Sequence, residues 1–400
     1  MSHEPRSRPV LVEEAHRATI FEIFFDLVLV FALTRLIDFM AEEPTALTLF
    51  QGFLLILWLW YAWSCYTWLG NLVRADVGVV RAGMTVAMGA IFVAALVIPD
   101  AWRHDGGAMS SALTLAVAYL TVRALHLALM FYSGGDNPRY RRQAARFAVS
   151  TALAWVPLIL GAVLGGTAQT VLWALAFLVD FGGGRIATAA SLGEVRSGAH
   201  FAERHNLVLI IALGESLISA GAGAGAVAIG PSVMVAAAVG FAATVCLWWL
   251  YFEDAAPAAA RALTAAPRHT RRRQQLASDA YTLAHLPLIA GVIYVALGIH
   301  EVLANVVGHP GTGWTGGARL GWMPAVVLFG GAAVYLAGRF VFLRLTVGAA
   351  PAQLVAAGAV LLLLPAAGLL PALGAIGLLT AFLVALVGYE RLRGARRLRT

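Results

Sequence analysis

Twelve long apolar stretches recur from one end of the chain to the other and leave few folds open to it. They lie near residues 19–40, 46–69, 82–99, 109–132, 147–165, 168–184, 203–222, 231–252, 279–300, 322–343, 351–366 and 370–389. A helix needs roughly 20 mostly apolar residues to cross a bilayer. Composition agrees, with 60% hydrophobic and only 12% charged residues, where a soluble domain carries about 25% charged. The first 18 residues are polar and lead straight into a full-length span, so no cleavable signal peptide is expected. The expected fold class is an all-α integral membrane protein of about twelve transmembrane helices.

The net charge of +7 could suggest nucleic acid, but its distribution points elsewhere. There is no lysine, and the arginines crowd into alternate loops: Arg6, Arg8 and Arg17; Arg74 and Arg81; Arg139 to Arg146; Arg185 and Arg196; Arg268 to Arg273; and Arg391 to Arg399. The intervening loops hold little beyond Arg103 and Arg319. This is the positive-inside bias, and it predicts a multi-pass protein with both termini in the cytoplasm. The basic run "RHTRRR" (268–273) is read as a topology or anionic-lipid element, so the bilayer is an expected partner and nucleic acid is not. Cys65 and Cys246 both fall inside predicted spans, which supports neither a disulfide framework nor a cysteine metal site.

Shifting the chain by 180 residues lays Phe21–Leu33 on Phe201–Leu213, with Asp26 facing Asn206. "LWLWY" (57–61) then corresponds to "LWWLY" (247–251), "YLTVR" (119–123) to "YLAGR" (335–339), and "LVDF" (178–181) to "LVGY" (386–389). The ordered series, with its paired Tyr and Arg, predicts two six-helix repeats, 1–195 and 196–400, in one membrane domain. An even number of spans per repeat gives both the same orientation, as in parallel-repeat transporters. The segment 253–278 reads as a long connection with no span of its own.

Ionisable residues inside such spans are costly and mark candidate sites. Glu22 and Asp26 are one turn apart on one face of the first span. Arg123 in the fourth span has a compatible depth, so it is expected to bond Asp26 or Glu22. In the seventh span His200 and Glu203 share a face, Arg204 and Glu215 another, and Glu215 is followed by Ser216 and Ser219. Arg35 holds the repeat-equivalent position of Glu215. His126, Asp180, Asp279 and His285 are further titratable groups within spans. The tryptophans are assigned to interfacial belts and packing.

No cofactor or metal is expected. His200, Glu203 and His205 are acceptable ligand types, but five residues at roughly 100° each place His205 about 140° from His200 on a straight helix, unlike H-E-x-x-H. Ser216 beside Glu215 lacks a G-x-S-x-G elbow. "GAGAGAVAIG" (221–230) lacks the Gly-Lys-Ser/Thr of a phosphate loop and reads as a flexible turn.

"EIFFDLVLVFA" (22–32) and "HFAERHNLVLIIALGES" (200–216) resemble the signature segments of the bacterial low-temperature-requirement family, LtrA. The resemblance covers essentially the whole chain in span number and motif order. It implies Glu22, Phe25, Asp26, His200, Glu203, Arg204, His205, Glu215 and Ser216 as motif residues and a bacterial cytoplasmic membrane as location. Asn206 stands where the family usually has glycine, and Arg35 where it often has glutamine. A more distant likeness is to the potassium and proton channels of lysosomal and bacterial membranes, with Phe25 in place of the serine of their Phe-Ser-Asp motif.

The function expected from these residues is an ion- or proton-coupled transporter or channel, acting on an ion or small solute through a buried charged site between the repeats. No catalytic box supports an enzyme. The alternatives are a membrane-embedded enzyme, metal-assisted if His200, Glu203 and His205 or His126 converged, and a membrane-stress or scaffold protein without transport.

Overall fold

The computed structural model describes residues 9–103, 110–189, 194–224, 230–309, 318–348 and 351–397. Among them the fold is all-helical, apart from two isolated bridges, Leu11 with Val73 and Arg319 with Pro371. The helices are α1 (Ile20–Glu42), α2 (Ala46–Leu72), α3 (Gly78–Val97), α4 (Ser111–Gly134), α5 (Pro138–Leu164), α6 (Gly166–Ala189) and α7 (Gly198–Ala224). They continue with α8 (Pro231–Phe252), α9 (Ala255–Ala265), α10 (Arg271–Gln275), α11 (His285–Gly308), α12 (Trp322–Thr346), α13 (Pro351–Leu369) and α14 (Ala372–Arg397). A π-helical segment, Leu276–Leu283, leads into α11.

Among the described residues, 11 helices are long and apolar enough to cross a membrane. The one remaining expected span, the first, is α1: it has the length at 23 residues but carries Glu22, Asp26, Arg35, Asp38 and Glu42. Burial departs from the pattern of a soluble protein. Ile20, Leu362 and Ile186 are 87%, 82% and 73% exposed, while Arg123, Arg204 and Glu22 are at most 1% exposed. Large apolar side chains are left exposed along the helices while these charges are buried among them, as lipid surroundings require. This is a polytopic membrane protein.

Boundaries differ from the apolar runs where polar residues continue a helix. α5 begins at Pro138, nine residues before its apolar stretch, because Asn137 caps Arg139 N–H at 3.0 Å and proline suits the first turn. The connection 253–278 contains α9 and α10, and the ninth span starts as the π-helical segment. Residues 225–229 of the expected glycine-rich turn lie outside the described residues.

The chain divides into two compact units. The first comprises Met1–Phe39, Phe50–Leu207 and Leu263–Ser278; the second comprises Met40–Leu49, Val208–Ala262 and Asp279–Thr400. In the first, α5 packs along α6 and against α4, and α3 packs on α4. The tryptophans of α2 serve packing there, with Trp58, Trp60 and Trp63 all buried. In the second, α11 and α12 approach through glycines seven residues apart on each helix. A Cβ on Gly291 would lie 2.6 Å from Tyr335 N and one on Gly298 2.7 Å from Leu328 Cα, while one on Gly331 would lie 2.8 Å from Tyr294 Cβ. Such contact between backbones is how membrane helices gain dispersion energy without a hydrophobic drive.

Candidate functional site

The amino-terminal end of α1 explains why Glu22 sits in an apolar run. Thr19 and Glu22 form a reciprocal cap: Glu22 Oε2 accepts from Thr19 N–H at 2.9 Å, and Glu22 N–H donates to Thr19 Oγ1 at 3.3 Å. This Thr-x-x-Glu capping box satisfies two orphan donors and places a negative charge where the helix dipole favours it. The second carboxylate oxygen, Oε1, accepts from His200 Nε2 at 2.9 Å. Gly70 leaves room for it, since a Cβ there would lie 2.7 Å from Oε1. One turn on, Asp26 is fully buried. Its Oδ1 accepts from Trp63 Nε1 and its Oδ2 from Arg204 Nη1, both at 2.7 Å.

α7 answers with the same spacing. Glu22 meets His200 and Asp26 meets Arg204, each pair 178 residues apart, so two i, i+4 pairs face each other in constant register. Arg204 lies between the carboxylates, with its Nε 3.9 Å from Glu22 Oε1 and its guanidinium 5.7 Å from the Trp63 ring centroid. His200 is fixed from behind by Asn71 of α2. The Asn71 Nδ2 donates to Ser197 O at 2.7 Å and lies 3.2 Å from His200 Nδ1, while its Oδ1 accepts from Arg196 N–H at 2.8 Å. Those backbone partners fix the amide, so His200 Nδ1 accepts and Nε2–H donates to Glu22. Ser197 caps α7 by accepting from His200 N–H at 3.1 Å. His16, ahead of α1, lies with its ring 5.1 Å from that of His200. Burial, then the proximity of His200, lowers the basicity of His16.

This arrangement falls inside a whole-chain similarity. A family model described as bacterial low temperature requirement A protein (LtrA) matches residues 17–388. The chain belongs to the LtrA family. It is also 29% identical over 301 residues to an uncharacterized protein of Rhizobium meliloti (strain 1021), a match covering 72% of this chain and 70% of that relative. No solved structure matches it. The LtrA match takes in the α1–α7 network apart from His16, which precedes it.

The other candidate residues of this LtrA protein stand elsewhere. Arg123 does not bond Asp26 or Glu22; it forms a two-pronged pair with Asp180, Nε to Oδ2 and Nη2 to Oδ1 both at 2.8 Å. Thr151 Oγ1 donates to Asp180 Oδ1 at 2.7 Å, and the guanidinium also reaches Cys65 Sγ and lies over the Tyr61 ring. The expected pairing matched depth along the spans, but depth does not specify which way a side chain points, and α6 supplies a carboxylate on the correct side. Arg35 pairs with Asp38 at 2.7 Å, half-exposed. Glu203 is half-exposed, accepts from Ala18 N–H at 3.0 Å and lies 3.9 Å from Arg17. His205 Nδ1 lies 2.8 Å from Phe201 O, with the ring edge-on to Trp63. In the second unit, Glu215 is fully buried and accepts from Ser219 Oγ at 3.0 Å, beside buried Ser216.

The alternative in which His200, Glu203 and His205 converge is not seen among the described residues: His200 bonds Glu22, Glu203 accepts from Ala18 N–H, and His205 Nδ1 lies against Phe201 O. Among the described residues, the trio brought together is His16, Glu22 and His200, whose ligand-type atoms lie within 4.8 Å of one another. Two neighbours oppose a divalent cation there. The Arg204 guanidinium approaches the same Glu22 oxygen, and a metal on His200 Nε2 would move the ring proton to Nδ1, against the Asn71 N–H. The cluster is held together by hydrogen bonds from Thr19 and His200 to Glu22, with Asn71 behind His200.

Proposed function

We propose that this LtrA-family protein is a transporter or channel that moves protons, or an ion or small solute coupled to them, with the Glu22–His200 and Asp26–Arg204 pairs as its working site. The observation that carries this reading is the matched pair of i, i+4 couples, fully buried yet containing a histidine, the side chain whose proton exchanges most readily near neutral pH. A proton arriving at His200 must enter on Nδ1, because Nε2 already donates to Glu22. It must then displace the Asn71 N–H, and Asn71 also holds Ser197 and Arg196. Proton uptake thereby loosens the α2–α7 junction, which couples charge to helix movement. His16, with its ring 5.1 Å from that of His200 and its basicity lowered by burial, is the nearest described histidine for exchange with it.

In purified protein reconstituted into vesicles, an imposed pH difference or potential is expected to drive flux reported by an internal pH dye. His200→Gln is expected to reduce that flux at least tenfold while the protein stays monodisperse. A silent wild type under both gradients would reject the proposal and leave the network a packing device.

The same reading places both termini in the cytoplasm of a bacterial cytoplasmic membrane, with 1–195 and 196–400 as parallel repeats. It is supported by the arginine distribution and by a parallel between the two sequence halves: Arg123 pairs with Asp180 of α6, and its repeat equivalent Arg339 pairs with Glu390 of α14 at 2.7 Å. Cysteines at exposed Asp136 and Glu253 are expected to react with an impermeant maleimide from the cytoplasmic side, and one at exposed Glu43 from the opposite side. The native Cys65 and Cys246 are buried and give little background. Labelling of Asp136→Cys and Glu253→Cys from opposite sides would reject the topology.

A further inference from the structure

Within the first unit, a second feature stands apart from the α1–α7 network. A cavity of about 900 Å³ is lined by Arg139, Arg142 and Arg146 of α5 and by Arg196 and His269. The three α5 arginines are spaced i, i+3 and i+7, so they share one helix face, and all three are exposed. Glu194 is the single carboxylate among the lining residues. It is already engaged, accepting from Tyr140 OH at 3.1 Å and lying 3.8 Å from Arg196 and 3.9 Å from His269. Four guanidiniums against one carboxylate leave the cavity strongly positive.

Two further observations point to a ligand rather than to arginines that simply mark a membrane face. Ser133, 7% exposed, lines the cavity with its Oγ buried and lacking a hydrogen-bond partner among the described residues. Arg196 Nε is a buried donor in the same condition. Buried donors are ordinarily satisfied, so unsatisfied ones on a cationic wall call for an acceptor. His269, on the rim, is the one described non-glycine residue with a left-handed backbone, at φ 59°. Such conformations concentrate at binding sites.

We infer that this cavity is a binding site for a phosphate-bearing anion. Guanidinium groups match phosphate oxygens in two-pronged geometry, and arginine is the only strong cation this chain uses. The volume lies in the range of small-molecule sites and exceeds what one phosphate fills, which favours a diphosphate or a phosphorylated organic group. The same chemistry is offered by a soluble phosphate ester and by an anionic lipid headgroup.

The test uses the full-length protein in phosphatidylcholine nanodiscs. Calorimetric titration with inorganic pyrophosphate addresses the soluble source, and native mass spectrometry after adding phosphatidylglycerol addresses the lipid source. Saturable binding in at least one arm is expected, weakening as salt rises. Arg142→Gln with Arg146→Gln should weaken it at least tenfold, whereas exposed Arg344→Gln, outside the cavity, should leave it unchanged. Glu194→Gln, which removes the competing carboxylate, should tighten it severalfold. Binding of pyrophosphate alone identifies a soluble ligand, and retention of phosphatidylglycerol alone identifies a headgroup. Absence of binding in both arms, or equal binding by the Arg142/Arg146 double variant, overturns the assignment.

Discussion

Arg123→Gln is expected to destabilise the detergent-solubilised protein by about 3–5 kcal/mol, the usual loss when one partner of a buried ion pair is removed. Arg123 is fully buried and Asp180 is 1% exposed, so solvent does not screen the pair. Without the guanidinium, Asp180 keeps Thr151 Oγ1 at 2.7 Å and a long contact to Tyr119 OH at 3.4 Å, neither of which carries charge. Asp180→Asn is expected to cost a similar amount by stranding Arg123 against Cys65, Thr151 and the Tyr61 ring. The Arg123→Gln/Asp180→Asn double variant should lose less than the sum, with a coupling of roughly 0.5–3 kcal/mol for groups in direct contact. Arg123→Gln combined with Asp26→Asn should be additive, because those residues belong to separate networks. Denaturation midpoints of these single and double variants decide this. A non-additive Arg123–Asp26 pair would contradict the geometry.

That contrast shows what the sequence alone could reveal. Charges interrupting apolar runs are conspicuous, so Glu22, Asp26, His200, Arg204 and Arg123 are all legible as buried candidates. Their partners are less so. Position along a span gives depth, whereas pairing also depends on rotation about each helix axis and on which helices are neighbours. Asp180 had as good a claim on Arg123 as Asp26 did, and only packing separates them. Two signals were nevertheless readable. Thr-x-x-Glu at 19–22 is a capping box, and Glu-x-x-x-Asp at 22–26 has the same spacing as His-x-x-x-Arg at 200–204. Nothing in the sequence marks Trp63 as the tryptophan that bonds a carboxylate, or Asn71 as the residue that fixes the His200 ring. Apolar length finds the 11 helices able to span among the described residues, and it starts α5 late because the first turns of that helix are arginine-rich. Asn137-Pro138 is the start signal that apolar counting passes over.

Arg204→Gln should be the most damaging change in the α1–α7 network, and its rescue separates function from packing. The substitution leaves Asp26, fully buried, with only Trp63 Nε1 as a strong partner, and removes the cation beside Glu22. A loss of about 3–5 kcal/mol is expected for a buried carboxylate stripped of its cation. Asp26→Asn in the same chain removes the stranded charge. The asparagine can still accept from Trp63, while its amide meets the introduced glutamine across the former ion pair. Most of the stability should return. Transport should not, because the proposed cycle requires a fixed positive charge next to the Glu22–His200 pair, so that a proton entering at His200 changes the balance of a cluster that is otherwise compensated. Vesicle flux in the Asp26→Asn/Arg204→Gln variant is therefore expected to stay at least tenfold below wild type, with a melting midpoint near that of the wild type. Full recovery of both would mean that the Asp26–Arg204 pair pins α1 to α7 and nothing more.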